Sequence, residues 1–176
     1  KLGIGVANWE IFAYLTLFVL GGALRLWGLG DQAIHHDESL HALYAWRLYS
    51  GEGYVHDPMM HGPFQFHGIA LMFFLFSDND YTARLLPAVF GIALMAIPFC
   101  FRWKLGARGA VFTAMLIMIS PSLLYYSRFA RNDVLMAVWT LTLVVLVWRY
   151  LETRSDRSLW AFSAVLALSF ATKETA

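Results

Sequence analysis

Long apolar runs separated by short charged turns dominate the chain. Residues 11–24, 85–101, 109–127, 134–148 and 158–172 contain no Asp, Glu, Lys or Arg. With its flanks, each run approaches the ~20 residues a helix needs to cross about 30 Å of hydrocarbon. The pattern predicts an all-α, polytopic transmembrane protein with spans at about 9–27, 84–103, 109–127, 133–150 and 158–172 and an outer loop at 28–83. Trp9, Arg25 and Trp27 bracket the first run as interface anchors, and no small-residue cleavage site follows it, so it reads as a span and not as a removable leader. The chain has no Gly/Ser linker, repeat or low-complexity tract, which makes 1–176 a single domain. It stops at Lys173-Glu174-Thr175-Ala176 just as a span exits, so it is expected to be the N-terminal part of a longer protein.

The loop at 28–83 carries its own helical pattern. Asp37 is expected to cap a helix running from Glu38 to about Ser50, with acid in its first turn, Arg47 near its end, and Gly51 and Gly53 stopping it. Asp37, His41 and Tyr44 then fall on one face, while Leu40, Leu43, Trp46 and Leu48 supply apolar area for the headgroup layer. A second helix is expected to begin at Pro63 and run through 65–76. It is short for a span, and counting it as one would reverse the side of the Arg102–Arg108 turn. It is therefore read as lying along the membrane surface or dipping into it.

Composition agrees with a lipid solvent: 59% of residues are hydrophobic and 14% charged, against about 45–50% and about 25% in ordinary globular domains. The net charge of +1 comes without a basic stripe, so nucleic acid is not an expected partner. The single cysteine, Cys100, excludes a disulfide framework. Charge placement is more informative. Arg102, Lys104 and Arg108 follow the second run, and Arg149, Arg154 and Arg157 follow the fourth, which makes both turns cytoplasmic. Residues 28–84, 128–133 and 173–176 then face the other side. They hold nine of the twelve acidic residues and all six histidines, His35, His36, His41, His56, His61 and His67.

Three polar clusters are candidates for chemistry. His35-His36-Asp37-Glu38 sets two carboxylates beside two imidazoles directly after a span, which suits a general base. It equally suits a helix cap with interfacial hydrogen-bonding histidines. A divalent metal held by His36, His41 and His61, with Asp37, His56 and Asp57 in reach, is a third reading. Ser127-Arg128-Phe129-Ala130-Arg131-Asn132-Asp133 puts two arginines outside the membrane against the positive-inside bias. Their forks suit a lipid phosphate, or a turn held by an arginine–Asp133 pair. Lys173-Glu174 is a third charged exit, where a lysine commonly snorkels.

The order of these elements carries a resemblance: one span, an outer loop opening with Asp37-Glu38, His61-Gly62-Pro63 leading to Ala83-Arg84-Leu85-Leu86-Pro87, then Ser127-Arg128-x-x-Arg131-x-Asp133, then Ala171-Thr172-Lys173-Glu174. From about Arg25 onward this resembles the N-terminal half of the GT-C membrane glycosyltransferases, the protein O-mannosyltransferase and aminoarabinose transferase group. It is most similar to a prokaryotic branch described as flippase-associated. The resemblance implies a polyprenyl-phosphate sugar donor, an inverting transfer to an acceptor hydroxyl, and membrane lipids as partners. It implies Asp37 as general base, Glu38 as its orienting partner or a metal ligand, and Arg128, Arg131 and Lys173 as phosphate-holding groups. Asp133 would contact substrate or metal. The density of histidine departs from the pattern, and no cofactor beyond a divalent metal is implied. Two other classes fit the composition: an accessory subunit of a larger membrane complex, and a lipid-linked sugar flippase or its associate. The absence of charge and histidine inside the spans counts against a cofactor-binding subunit and a transporter.

Overall fold

The computed structural model describes residues 7–55 and 61–174. Among them the chain is all helix: α1 (Asn8–Leu26), α2 (His36–Tyr49), α3 (Pro63–Phe76), α4 (Asp80–Leu94), α5 (Ile97–Cys100), α6 (Arg102–Ile119), α7 (Pro121–Ser127), α8 (Asp133–Thr153) and α9 (Asp156–Thr172). Three segments are long and apolar enough to cross a bilayer: Asn8–Leu26, Asp80–Cys100 and Asp133–Thr153. The bent pair Arg102–Ile119 and Pro121–Ser127 makes a fourth if it is one span. Against the five expected spans, α9 is a 17-residue helix opening with Asp156 and Arg157. It folds back along α8 after a two-residue turn in which Arg154 takes a left-handed conformation, φ 49°.

The bend between α6 and α7 is 63° and has a local cause. Pro121 has no backbone N–H, so the Ile117 carbonyl loses its helical donor. The Arg25 guanidinium supplies the missing hydrogen, Nη2 donating to Ile117 O at 3.3 Å while Nη1 donates to Gly21 O at 3.2 Å. Arg25 is therefore fully buried inside the bundle and is not the interface anchor that its position suggested. Its neighbour Gly91 has to be a glycine, because a Cβ there would lie 2.9 Å from Arg25 Nε and would overlap Ser127. Trp9 and Trp27 do lie on the surface.

α3 does not stand apart. It runs antiparallel against α4, with Phe64 beside Phe90 (ring centroids 5.9 Å apart) and Gly68 set close against Leu86. Trp139 of α8 completes an aromatic triangle with Phe64 and Phe90. Ile69, Phe73, Leu94, Met95, Ala114 and Leu135 continue the buried core between the helices.

This packing sorts the charges to two ends. At one end Glu10 of α1 is buried against Arg102, while Trp103 and Lys104 meet Glu152 near the end of α8. At the other end lie α2, the start of α4, the turn between α7 and α8, and the last turn of α9. The second end holds the clusters singled out in the sequence.

Candidate functional site

Glu38 organises the polar end. It is 1% exposed, and both carboxylate oxygens are engaged. Arg84 donates to it twice, from Nε and from Nη2, each at 2.8 Å. The Ala130 amide donates at 2.8 Å and the His35 amide at 3.1 Å. Burial pushes the carboxyl toward its neutral form, but the Arg84 fork and the two amides outweigh it and hold Glu38 below the usual carboxylate range. Arg84 spends its remaining hydrogens on the carbonyls of Leu29, Gln32 and Ala33. One ion pair thus ties the loop after α1, the start of α2, the start of α4 and the turn before α8. Gln65 of α3 holds that turn from the other side, Nε2 donating to Ala130 O at 2.9 Å.

The helix start differs from the expected one. α2 begins at His36 with His35 as its cap: His35 Nδ1 accepts the Asp37 amide at 3.3 Å, and Glu38 returns the bond to the His35 amide. Because His35 caps the helix, the Asp37 side chain is released from that duty and turns to Arg131, whose Nη1 donates to Oδ2 at 3.1 Å. Arg131 Nε also faces Asp133 Oδ2 at 3.6 Å, an ion pair too long for a hydrogen bond. Two carboxylates separated by about a hundred residues are thereby joined through one guanidinium.

His41 lies one helical turn beyond Asp37, 6% exposed, with its ring against Phe66. Burial, followed by the positive field of Arg131 and His61, pushes its pKa down to about 4, with Asp37 and Asp133 opposing. Its Nδ1 is buried and has no hydrogen-bond partner among the described residues. Asn132, between Arg131 and Asp133 and 1% exposed, likewise has both amide atoms unpartnered.

The end of α9 closes this side. Gly62 N donates to Thr172 O at 3.3 Å, and a Cβ on Gly62 would overlap the Ala171 carbonyl, so only glycine allows the approach. His61 precedes it in a left-handed conformation, φ 66°, with Nδ1 3.6 Å from Glu174 Oε2. Lys173 caps α9, and no partner for its ammonium is found among the described residues.

Arg128 plays a different part from Arg131. Its guanidinium donates to the carbonyls of Leu24, Arg25, Trp27 and Gly28. These carbonyls lie at and just past the C-terminus of α1, where a helix leaves its last acceptors unpaired. Beside it a cavity of about 690 Å³ opens between the loop after α1 and α7, lined in part by Glu38, Arg84, His35, Tyr125 and Phe129. Tyr125 and Phe129 stack there at 5.4 Å.

The proposed metal ligands do not assemble. His36 is exposed at the start of α2, His41 is buried, and His61 pairs with Glu174. Among the described residues no group of three or more His, Cys, Asp or Glu side chains is placed to hold a metal. His56 and Asp57 lie outside the described residues.

Sequence reasoning brought Asp37, Arg131, Asp133 and Lys173 to one face but missed Arg84, Gln65 and Asn132 as parts of the site. Arg84 had a visible signal, an arginine at the mouth of an apolar run opposite a loop rich in acids. Gln65 and Asn132 had none, since a lone amide shows its partner only in three dimensions.

Fold and site together define a polytopic helical membrane protein with a charged, partly buried site at one end. A model of the dolichyl-phosphate-mannose-protein mannosyltransferase family matches residues 60–176, well over half of the chain, and the chain belongs to that family. It is thus a membrane protein of glycosyltransferase type. The matched segment contains Arg84, Arg128, Arg131, Asp133 and Lys173, whereas Asp37 and Glu38 precede it. No curated protein and no solved structure matched the chain.

Proposed function

We propose that this chain forms the catalytic end of a GT-C-type membrane glycosyltransferase, which moves a sugar from a polyprenyl-phosphate-linked donor to an acceptor hydroxyl on the non-cytoplasmic face of the membrane. The observation that carries the reading is the Asp37–Arg131–Asp133 constellation with Lys173 nearby in the same polar end. It sets a candidate base and candidate phosphate-holding cations together, at the mouth of a bundle that a lipid could enter sideways. Family membership supports a lipid-linked sugar as donor. The arginine-rich turns at the opposite end support the assignment of this end to the outside.

In this mechanism Asp37 accepts the proton of the acceptor hydroxyl as its oxygen attacks the anomeric carbon. The bond from that carbon to the phosphate oxygen breaks, and the lipid phosphate departs with the extra negative charge. Arg131 and Lys173 stabilise that charge. Attack opposite the leaving group inverts the anomeric centre, so no glycosyl-enzyme intermediate forms. Glu38 positions the residues around Asp37 through Arg84 and the Ala130 amide, and does not touch the reacting atoms. Arg128 supports the same end by capping α1, and Asp133 holds Arg131.

Mass spectrometry of the lipids retained by the purified protein tests the reading. Wild type is expected to enrich a polyprenyl phosphate or its sugar conjugate, and Arg131→Ala and Lys173→Ala to lose it. Asp37→Asn is expected to cost about 10²–10⁴-fold in transfer with thermal stability unchanged. Only bulk phospholipid, the same in all variants, would count against the assignment.

A further inference from the structure

The Arg131 N–H donates to Phe129 O at 2.7 Å, a bond between residues two apart that makes Phe129-Ala130-Arg131 a γ-turn with Ala130 at its tip. That bond uses neither polar group of Ala130, and Ala130 is fully buried. Both groups therefore need partners inside the protein. Glu38 accepts the Ala130 N–H at 2.8 Å, and Gln65, itself buried on α3, donates Nε2–H to the Ala130 carbonyl at 2.9 Å. The two partners are not interchangeable, because an ionised carboxylate only accepts whereas the side-chain amide supplies the donor that a carbonyl requires.

The Ala130–Arg131 peptide is planar, so its carbonyl, the Arg131 N–H and the Arg131 Cα move as one body. Gln65 holds that body by the carbonyl and Phe129 O holds it by the N–H. Together they fix the point from which the Arg131 guanidinium reaches Asp37 Oδ2 at 3.1 Å and Asp133 Oδ2 at 3.6 Å. Without the Gln65 amide the plane keeps only its γ-turn bond, and a buried carbonyl left without a donor turns the peptide, carrying Arg131 with it. Gln65 is firmly seated for this task. Its neighbours on α3 are locked, Phe64 against Phe90 and Trp139, and Phe66 against His41 and Tyr44.

We infer that Gln65 is a positioning residue, which sets Arg131 between Asp37 and Asp133 by donating to the Ala130 carbonyl. It touches neither the sugar nor the phosphate. Its consequence for transfer rests on the function proposed above, whereas its hold on Arg131 does not.

Two readouts on the purified protein in lipid nanodiscs separate these claims: the rate at which phenylglyoxal modifies each arginine, read by peptide mass spectrometry, and the binding of dolichyl phosphate. Gln65→Met keeps the side chain's length and removes its donor. It is expected to speed modification of Arg131 and to weaken dolichyl phosphate binding, each ~5-fold, the worth of one hydrogen bond. Arg128, whose guanidinium is held by the end of α1, is expected to react at its wild-type rate and so reports an intact fold. Gln65→Glu is expected to bind nearly as wild type at about pH 5, where the buried carboxyl is protonated and donates again, and to fall behind it as pH rises and the carboxyl ionises. Arg131 reactivity unchanged in Gln65→Met, Arg128 accelerated as much as Arg131, or a Gln65→Glu deficit independent of pH would each overturn the inference. Selective exposure of Arg131 in a protein whose wild type does not bind dolichyl phosphate would overturn the proposed function and leave the positioning role of Gln65 standing.

Discussion

Glu38→Ala removes the shared acceptor of four hydrogen bonds at once: two from Arg84, one from the Ala130 amide and one from the His35 amide. Taking away one partner of a buried ion pair typically costs 3–5 kcal/mol, because the remaining charge stays buried. Arg84 would still donate to the carbonyls of Leu29, Gln32 and Ala33, so the lower end applies, about 3 kcal/mol. Reversible unfolding by sodium dodecyl sulfate in mixed micelles measures this on wild type, Glu38→Ala, Arg84→Ala and the double variant. The double variant is expected to cost little more than the worse single one, since removing both partners leaves no orphan charge. The stabilisation also has a pH signature. Because the folded carboxyl lies below its ordinary value of 4.5, its contribution is fully present above that value and is lost as pH falls through the lower folded value. A Glu38→Ala cost below about 1 kcal/mol, or additive single effects, would refute the view that this pair holds the polar end together.

His41 gives a pH effect in the same direction from a different cause. Its pKa of about 4 in the fold, against 6.5 ordinarily, means that the folded state resists protonation. Its contribution is complete above pH 6.5 and declines as pH falls toward 4, by about 3 kcal/mol in all. His41→Gln is expected to flatten that part of an unfolding-against-pH curve, and parallel curves would refute the burial argument. Gly62→Ala is expected to cost about 2–3 kcal/mol in the same unfolding assay, because the new methyl group meets the Ala171 backbone and breaks the Gly62–Thr172 bond; an unchanged midpoint would show that the approach is looser than it looks. Arg128→Ala and Arg131→Ala are expected to separate. The first lowers stability by about 2–4 kcal/mol by uncapping α1, and the second mainly removes bound lipid phosphate, read by unfolding and lipid mass spectrometry side by side.

The division of the chain into apolar helices and a polar loop was legible from composition and run length, because a bilayer demands long uncharged stretches whatever they pack against. The rule that like-sided turns share charge also placed Asp37, Arg131, Asp133 and Lys173 at one end before any contact was known. α9, Asp156–Thr172, takes in the whole of the uncharged run at 158–172 and begins two residues before it, with Asp156 in its first turn. Tertiary structure decided which of the charged residues are spent on the fold. Arg25 was expected at the interface and sits in the bundle, because Pro121 leaves a carbonyl that only a long side chain from α1 can reach. Arg128 and Arg131 look equivalent in sequence, yet one caps α1 and the other joins two carboxylates. Asp37 lost the capping role to His35, and Glu38 was claimed by an arginine 46 positions away. These outcomes depend on which buried groups find partners across the bundle, and pairing between distant segments leaves no periodic trace along the chain.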